Sequence, residues 1–135
     1  KVDRRIPLGI ELRNPNLLNR HTFTWLRDRD LAPVFLQGYY LPDLTEVYAR
    51  VRDLVRGLAV VRLHGPERQK MERRTGERWD QIVAPRDEEI GRMAGVVRDL
   101  LDRGADVYLN VNNHYEGSAP LTIRKLAMHL GDSSG

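Results

Sequence analysis

The sequence predicts an α/β fold built from four parallel β/α units, a half or incomplete eight-stranded barrel. Four nearly continuous apolar runs, at about residues 7–13, 31–37, 58–64 and 106–112, alternate with segments of helical periodicity. Continuous apolar runs are expected of strands buried on both faces of a parallel sheet, whereas half-solvated strands alternate polar and apolar residues. Strand–helix alternation implies parallel strands joined by right-handed crossovers. The first three strands begin at intervals of roughly 25 residues, close to the roughly 30-residue unit of a closed β/α barrel.

Each helical segment has its own signals. Residues 16–29 carry Leu17, Leu18, Trp25 and Leu26 at helical spacing, and Trp25 fits a core stripe. Residues 43–56 carry Leu44, Val47, Val51, Leu54 and Val55, with Asp43 as N-cap after Pro42. Residues 87–103 carry Ile90, Met93, Val97, Leu100 and Leu101, and Gly104 stops the helix. Residues 118–130 carry Leu121, Ile123, Leu126 and Leu130, with Ser118 as cap and Pro120 in the first turn. The expected unit is a single domain over 1–131, with 132–135 as a flexible tail.

The third crossover is longer than the others. Gly65 through Arg86 is rich in arginine, contains Trp79 and follows a strand's C-terminal end, the face on which barrels build active sites. It reads either as a lid over a pocket or as a solvated surface loop.

Composition narrows the class. The chain has 135 residues, 41% apolar and 30% charged, which fits one globular domain. The formal charge of +3 is modest and its acids and bases alternate, so it gives no argument for nucleic acid. No cysteine is present, which excludes disulfides and thiolate zinc sites and fits a cytoplasmic protein. No apolar stretch is long enough to span a bilayer, so no membrane partner is expected. No Gly-x-Gly-x-x-Gly or Walker-type loop follows a strand, which argues against dinucleotide and P-loop folds.

The functional signal lies in three polar pairs spaced two apart at strand ends: Glu11 and Arg13, Arg62 and His64, Asn110 and Asn112. Residues two apart share a strand face, and polar groups aimed into an interior are costly unless paired. The expectation is one shared polar pocket. Glu11 and His64 are the candidate catalytic residues, in proton transfer. Arg13 and Arg62 would clamp an anion, and Asn112 and Asn113 would orient a substrate hydroxyl. Structural roles compete throughout. Glu11 and Arg62 would make an interior ion pair, His64 would be a satisfied core histidine, and Asn113 would serve turn geometry. A weak metal alternative groups Glu11, His64 and His114. Tyr39, Tyr40 and Gln37, at the end of the second strand, are further candidates for lining the pocket. His21 and His129 lie in helical patterns and read as surface residues.

These segments resemble a known family. Val60-Val61-Arg62-Leu63-His64-Gly65 resembles the Tyr-Val-Arg-hydrophobic-His-Gly strand of the YecE-like family (domain of unknown function 72). Tyr108 through His114, followed by Glu116-Gly117-Ser118-Ala119-Pro120, resembles its Asn-Asn strand end and small-residue helix start. Gly9-Ile10-Glu11-Leu12-Arg13-Asn14-Pro15 looks like its Glu-x-Arg-x-Pro strand. The resemblance implies a TIM barrel of unestablished activity, of which this chain looks like the C-terminal half. The family usually has an aromatic pair before the two asparagines and a Trp after the first Pro. Here Asn110-Val111 and Asn16-Leu17 stand in those places, which bears on pocket shape.

The combined expectation is a pocket for a small polar or anionic ligand, hydrolase- or isomerase-like, with no cofactor specified. The alternatives are a metal-dependent phosphoester enzyme and a non-catalytic ligand-binding module. Because four strands alone leave two sheet edges open, a missing N-terminal half or a second copy is the expected partner. The chain begins at Lys1 with no initiator Met, which is read as a cut edge.

Overall fold

The apolar runs form strands because β-branched and aromatic residues pack well on a pleated surface, and all four pair in parallel. In the computed structural model, which describes residues 6–38, 40–65 and 68–131, they are β1 (Gly9–Glu11), β2 (Ala32–Gly38), β3 (Leu58–Gly65) and β4 (Asp106–Val111). They lie side by side in chain order, β1-β2-β3-β4. The helices are α1 (Arg20–Asp28), α2 (Leu44–Val51), α3 (Arg68–Thr75), α4 (Asp87–Asp102) and α5 (Ala119–His129). This is the architecture of a partial β/α barrel. The expected tail at 132–135 lies outside the described residues. Among the described residues, no helix is long and apolar enough to cross a membrane.

The two sheet faces differ. Phe35, Ala59, Val61 and Leu63 point into one core with Leu44, Val47, Ile90, Met93, Val97, Leu100 and Leu126 from the helices. Their neighbours along the strands face the other way. Leu36 is in register with Arg62, and Arg62 with Asn110, so these positions share the second face. That face is covered far less: Val60, Arg62 and His64 are half-buried, and Tyr108 is 63% exposed.

Three expectations change. The segment 16–29 is two pieces, because two asparagines each cap a separate start. Asn14 Oδ1 accepts from the Asn16 amide and begins a 3-10 turn at Pro15–Leu17. Asn19 Oδ1 accepts from the Thr22 amide at 2.9 Å and begins α1. Trp25 is 46% exposed rather than core, and the Arg29 guanidinium lies 4.0 Å from its ring centroid. The third crossover contains α3, whose buried positions are Met71 and Thr75; two positions one turn apart suffice to seat it. Asp43, by contrast, caps α2 as its position implies, accepting from the Thr45 amide at 2.9 Å.

The stretch after α3 is anchored. Arg74 donates to the Val83 carbonyl at 2.6 Å, and the amides of Val83 and Ala84 donate to the Glu116 carbonyl at 2.8 and 3.0 Å. The side chain of Glu116, 0% exposed, completes the anchor. Its Oε2 accepts from the Arg86 amide at 3.0 Å and from Lys125 Nζ at 2.7 Å, and its Oε1 from Thr122 Oγ1 at 2.6 Å. One carboxylate therefore ties the end of the crossover to α5. Burying a charge is costly unless it is paired and fully hydrogen-bonded, and here both oxygens have partners.

Glu116→Ala is expected to lower unfolding stability by about 3 kcal/mol, since it takes the carboxylate away from the Arg86 amide and the Lys125 ammonium and leaves the Thr122 hydroxyl only the Ser118 carbonyl, 3.1 Å away. Thr122→Val, which removes one hydroxyl donor to that carboxylate, should cost less, about 2 kcal/mol. Urea unfolding of both variants checks the order.

Candidate functional site

Arg62 and His64 reach the open sheet face because they alternate with Val61 and Leu63, which belong to the core. Glu11 ends β1 on the same face, since it pairs with Val34, which pairs with Val60. Arg62 Nη1 is ion-paired with Glu11 Oε2. Arg13 Nε donates to Glu11 Oε1 at 2.8 Å. Between them, β2 contributes Leu36, which is buried and uncharged. A row Arg13–Glu11–Arg62 thus crosses the C-terminal ends of three strands, with His64 two residues beyond Arg62. The structure brings these four expected residues together, and the interior ion pair read from the sequence is present.

The row sets the charge states. Burial works against ionised Glu11, but hydrogen bonds from Arg13 and Arg62, helped by their charges, outweigh it and hold the carboxyl below its ordinary value. Such a carboxylate is a poor proton acceptor. For His64, burial and then the charges of Arg62 and Arg13 oppose a proton and lower its pKa, against a smaller contrary pull from Glu11. His64 is therefore neutral at pH 7, and of the two candidates it is the better base.

The β4 exit adds a second histidine. Asn112 Oδ1 accepts from the His114 amide at 2.9 Å and lies 2.5 Å from His114 Nδ1. An atom accepting from a backbone N–H is the oxygen, so Nδ1 carries the ring proton and Nε2 the lone pair. The Trp79 ring meets this imidazole edge-on at 4.8 Å between centroids. Asn113 serves the turn: its Oδ1 accepts from the Ala119 amide at 2.8 Å at the start of α5. Ser118, the sequence's cap candidate, makes no side-chain cap bond.

Backbone proximity holds this corner together. Gly65 has φ +90°, and a Cβ there would land on the His114 carbonyl, well inside van der Waals contact. The Asn112 amide donates to the Leu63 carbonyl at 2.8 Å. The ends of β3 and β4 meet chain against chain.

Other candidates lie elsewhere. Gln37 is in register with Leu63 and faces the helices. Its Oε1 accepts from the Leu44 amide at 2.7 Å, and its Nε2 donates to Asp43 and Glu89. Glu89 also accepts from Tyr115 Oη at 2.5 Å. This is a separate polar network, on the helix side of the strand ends. Tyr40 is almost fully exposed, and Tyr39 lies outside the described residues. His21 and His129 are on the surface as expected. Among the described residues, no three His, Asp or Glu side chains are grouped to hold a metal ion, so the set Glu11, His64 and His114 is not assembled. Glu11 is taken up by two arginines and His114 Nδ1 by Asn112. A cavity of about 970 Å³ is lined by Phe23, Leu26, Leu54 and Leu58 at the opposite, N-terminal ends of the strands. Conserving structure rather than chemistry is the usual business of that end of a barrel.

Fold and row together define a partial β/α barrel with a charged row at its strand ends. The family model described as "Protein of unknown function DUF72" matches residues 1–135, and the chain belongs to this family. A DUF72 family protein from Enterococcus faecalis V583 has a similar structure, with a TM-score of 0.69 at 18% identity, covering 95% of this chain and 48% of that one. A DUF72 family protein from Thermotoga maritima MSB8 gives 0.66 at 22% identity, covering 93% of this chain and 46% of that one. The chain therefore spans just under half the length of these structures. No curated protein matches it.

Two measurements test the corner. Gly65→Ala is expected to cost more than about 2 kcal/mol, combining a left-handed backbone with a collision. Gly57→Ala, at φ +74° with nothing near its Cβ position, should cost only about 1 kcal/mol for the backbone alone. Glu11 has a depressed folded-state pKa, so its pairing stabilises the protein above the ordinary 4.5 and is lost as pH falls through the folded value. The unfolding free-energy difference between wild type and Glu11→Gln should be full at neutral pH and disappear in acid.

Proposed function

We propose that the strand-end row is a binding site for a small anionic ligand, and that the protein is a hydrolase- or isomerase-like enzyme acting on it. Arg62 and Arg13 hold the anion, with Glu11 fixing both guanidiniums in one orientation. His64, uncharged at neutral pH, carries the proton in the reaction. Asn112 offers its amide nitrogen to the ligand. The observation that carries this reading is the continuous ion-paired row beside a neutral histidine at the C-terminal ends of parallel strands. Groups of this kind at that end of β/α units favour chemistry over plain support.

The reading includes a closed barrel. A parallel sheet normally has both faces covered, and here the face carrying the row is covered only in part. The two similar structures are about twice as long. Four further β/α units, from a longer polypeptide or a second copy, would turn the row toward an enclosed interior in TIM-barrel fashion. The reading also puts the protein in the cytoplasm, which a cysteine-free sequence suits.

Titration with inorganic phosphate, followed by calorimetry, tests the site. Saturable binding is expected, weakened about tenfold or more in Arg62→Gln because a charge-assisted contact is lost. The urea midpoint of the same variant shows whether the fold has been kept. Binding of equal strength in wild type and variant, or no saturable binding, defeats the proposal. Phosphate binding that persists while no hydrolase or isomerase activity is found leaves a non-catalytic binding module.

A further inference from the structure

Among the described residues, His114 Nε2 is the buried side-chain nitrogen or oxygen without a hydrogen-bond partner. Nδ1 is committed to Asn112, so in the neutral ring Nε2 is a lone pair. It faces Glu72 Oε1 of α3 at 3.6 Å, too far for a hydrogen bond and close enough for repulsion between a lone pair and a carboxylate. A proton on Nε2 reverses the sign of that contact and supplies the missing donor, while the Asn112 bond is kept.

The surroundings fit such a change. From α3, Arg68 Nε donates to the same Glu72 oxygen at 2.7 Å and, as the largest influence, holds that carboxyl below its ordinary value. Glu72 is thus ionised throughout the range in which histidines titrate. From β3, His64 lies near enough for the two imidazoles to influence each other, and Arg62, Arg13 and Glu11 surround His64 in turn. From the segment after α3, Trp79 presents an uncharged ring edge.

We propose that His114 and Glu72 form a proton-operated latch that fastens α3 against the exit of β4 and tightens as pH falls. The latch stands on this contact alone, whether or not the neighbouring row binds an anion. It joins α3 to the loop that carries Asn112, so its state sets how firmly that helix is held against the exit of β4.

Amide hydrogen exchange, corrected for the intrinsic pH dependence of exchange, tests it locally. Protection of residues 68–75 should rise roughly fivefold between about pH 8 and about pH 5.5, the size of a favourable half-exposed ion pair. Protection of α4 serves as the reference, because acid also weakens the whole protein through His64. In Glu72→Gln, and in His114→Gln with its permanently neutral side chain, the rise at 68–75 relative to α4 should be absent. An unchanged or falling ratio in wild type overturns the latch. So does a full rise retained in Glu72→Gln.

Discussion

The strand-end corner depends on one close approach, the backbone of Gly65 against the carbonyl of His114. A side chain at Gly65 would hold β3 and the β4 exit apart, and His114, with the Asn112 and Trp79 side chains packed on it, would lose its place. The contact needs a residue that tolerates φ +90° and occupies almost no volume, which glycine alone satisfies. Two residues beyond His114, Glu116 secures the same loop from behind through Arg86, Thr122 and Lys125. The loop is therefore fixed in front by backbone packing and at the back by a buried charge.

Charge within the row follows from competition between burial and neighbours. Glu11 and His64 are both partly removed from water, which disfavours the charged form of each. The two arginines then act in opposite directions. They restore the charge on the carboxylate and suppress it on the imidazole. One pair of guanidiniums thereby sets an anion and a neutral base side by side, with no change in the burial of either.

Much of this was legible in the sequence, and the failures have physical causes. The strands were readable because apolar runs mark both faces of a parallel sheet, and the same-face spacing of Glu11, Arg13, Arg62 and His64 foretold the row. Helix α3 was hidden because only Met71 and Thr75 bury themselves among arginines, too few for a visible stripe. Glu116 was unreadable, since a carboxylate in a loop normally signals solvent and its three partners come from distant or separately folded segments. Trp25 misled because its ring packs beneath Arg29 on the surface, a contact that periodicity does not record. Asn113 was correctly suspected of turn work, while its actual partner, the Ala119 amide, lies six residues on.

The strictly sequential strand order carries a consequence for how such a sheet grows. Each strand neighbours its predecessor in the chain, so among the described residues no connection passes over another and both margins present unpaired ladders. A further strand–helix unit could be appended at either margin without rethreading anything already in place. An architecture of this kind lends itself to duplication and fusion of whole units, with new side chains arriving at the common rim each time one is added.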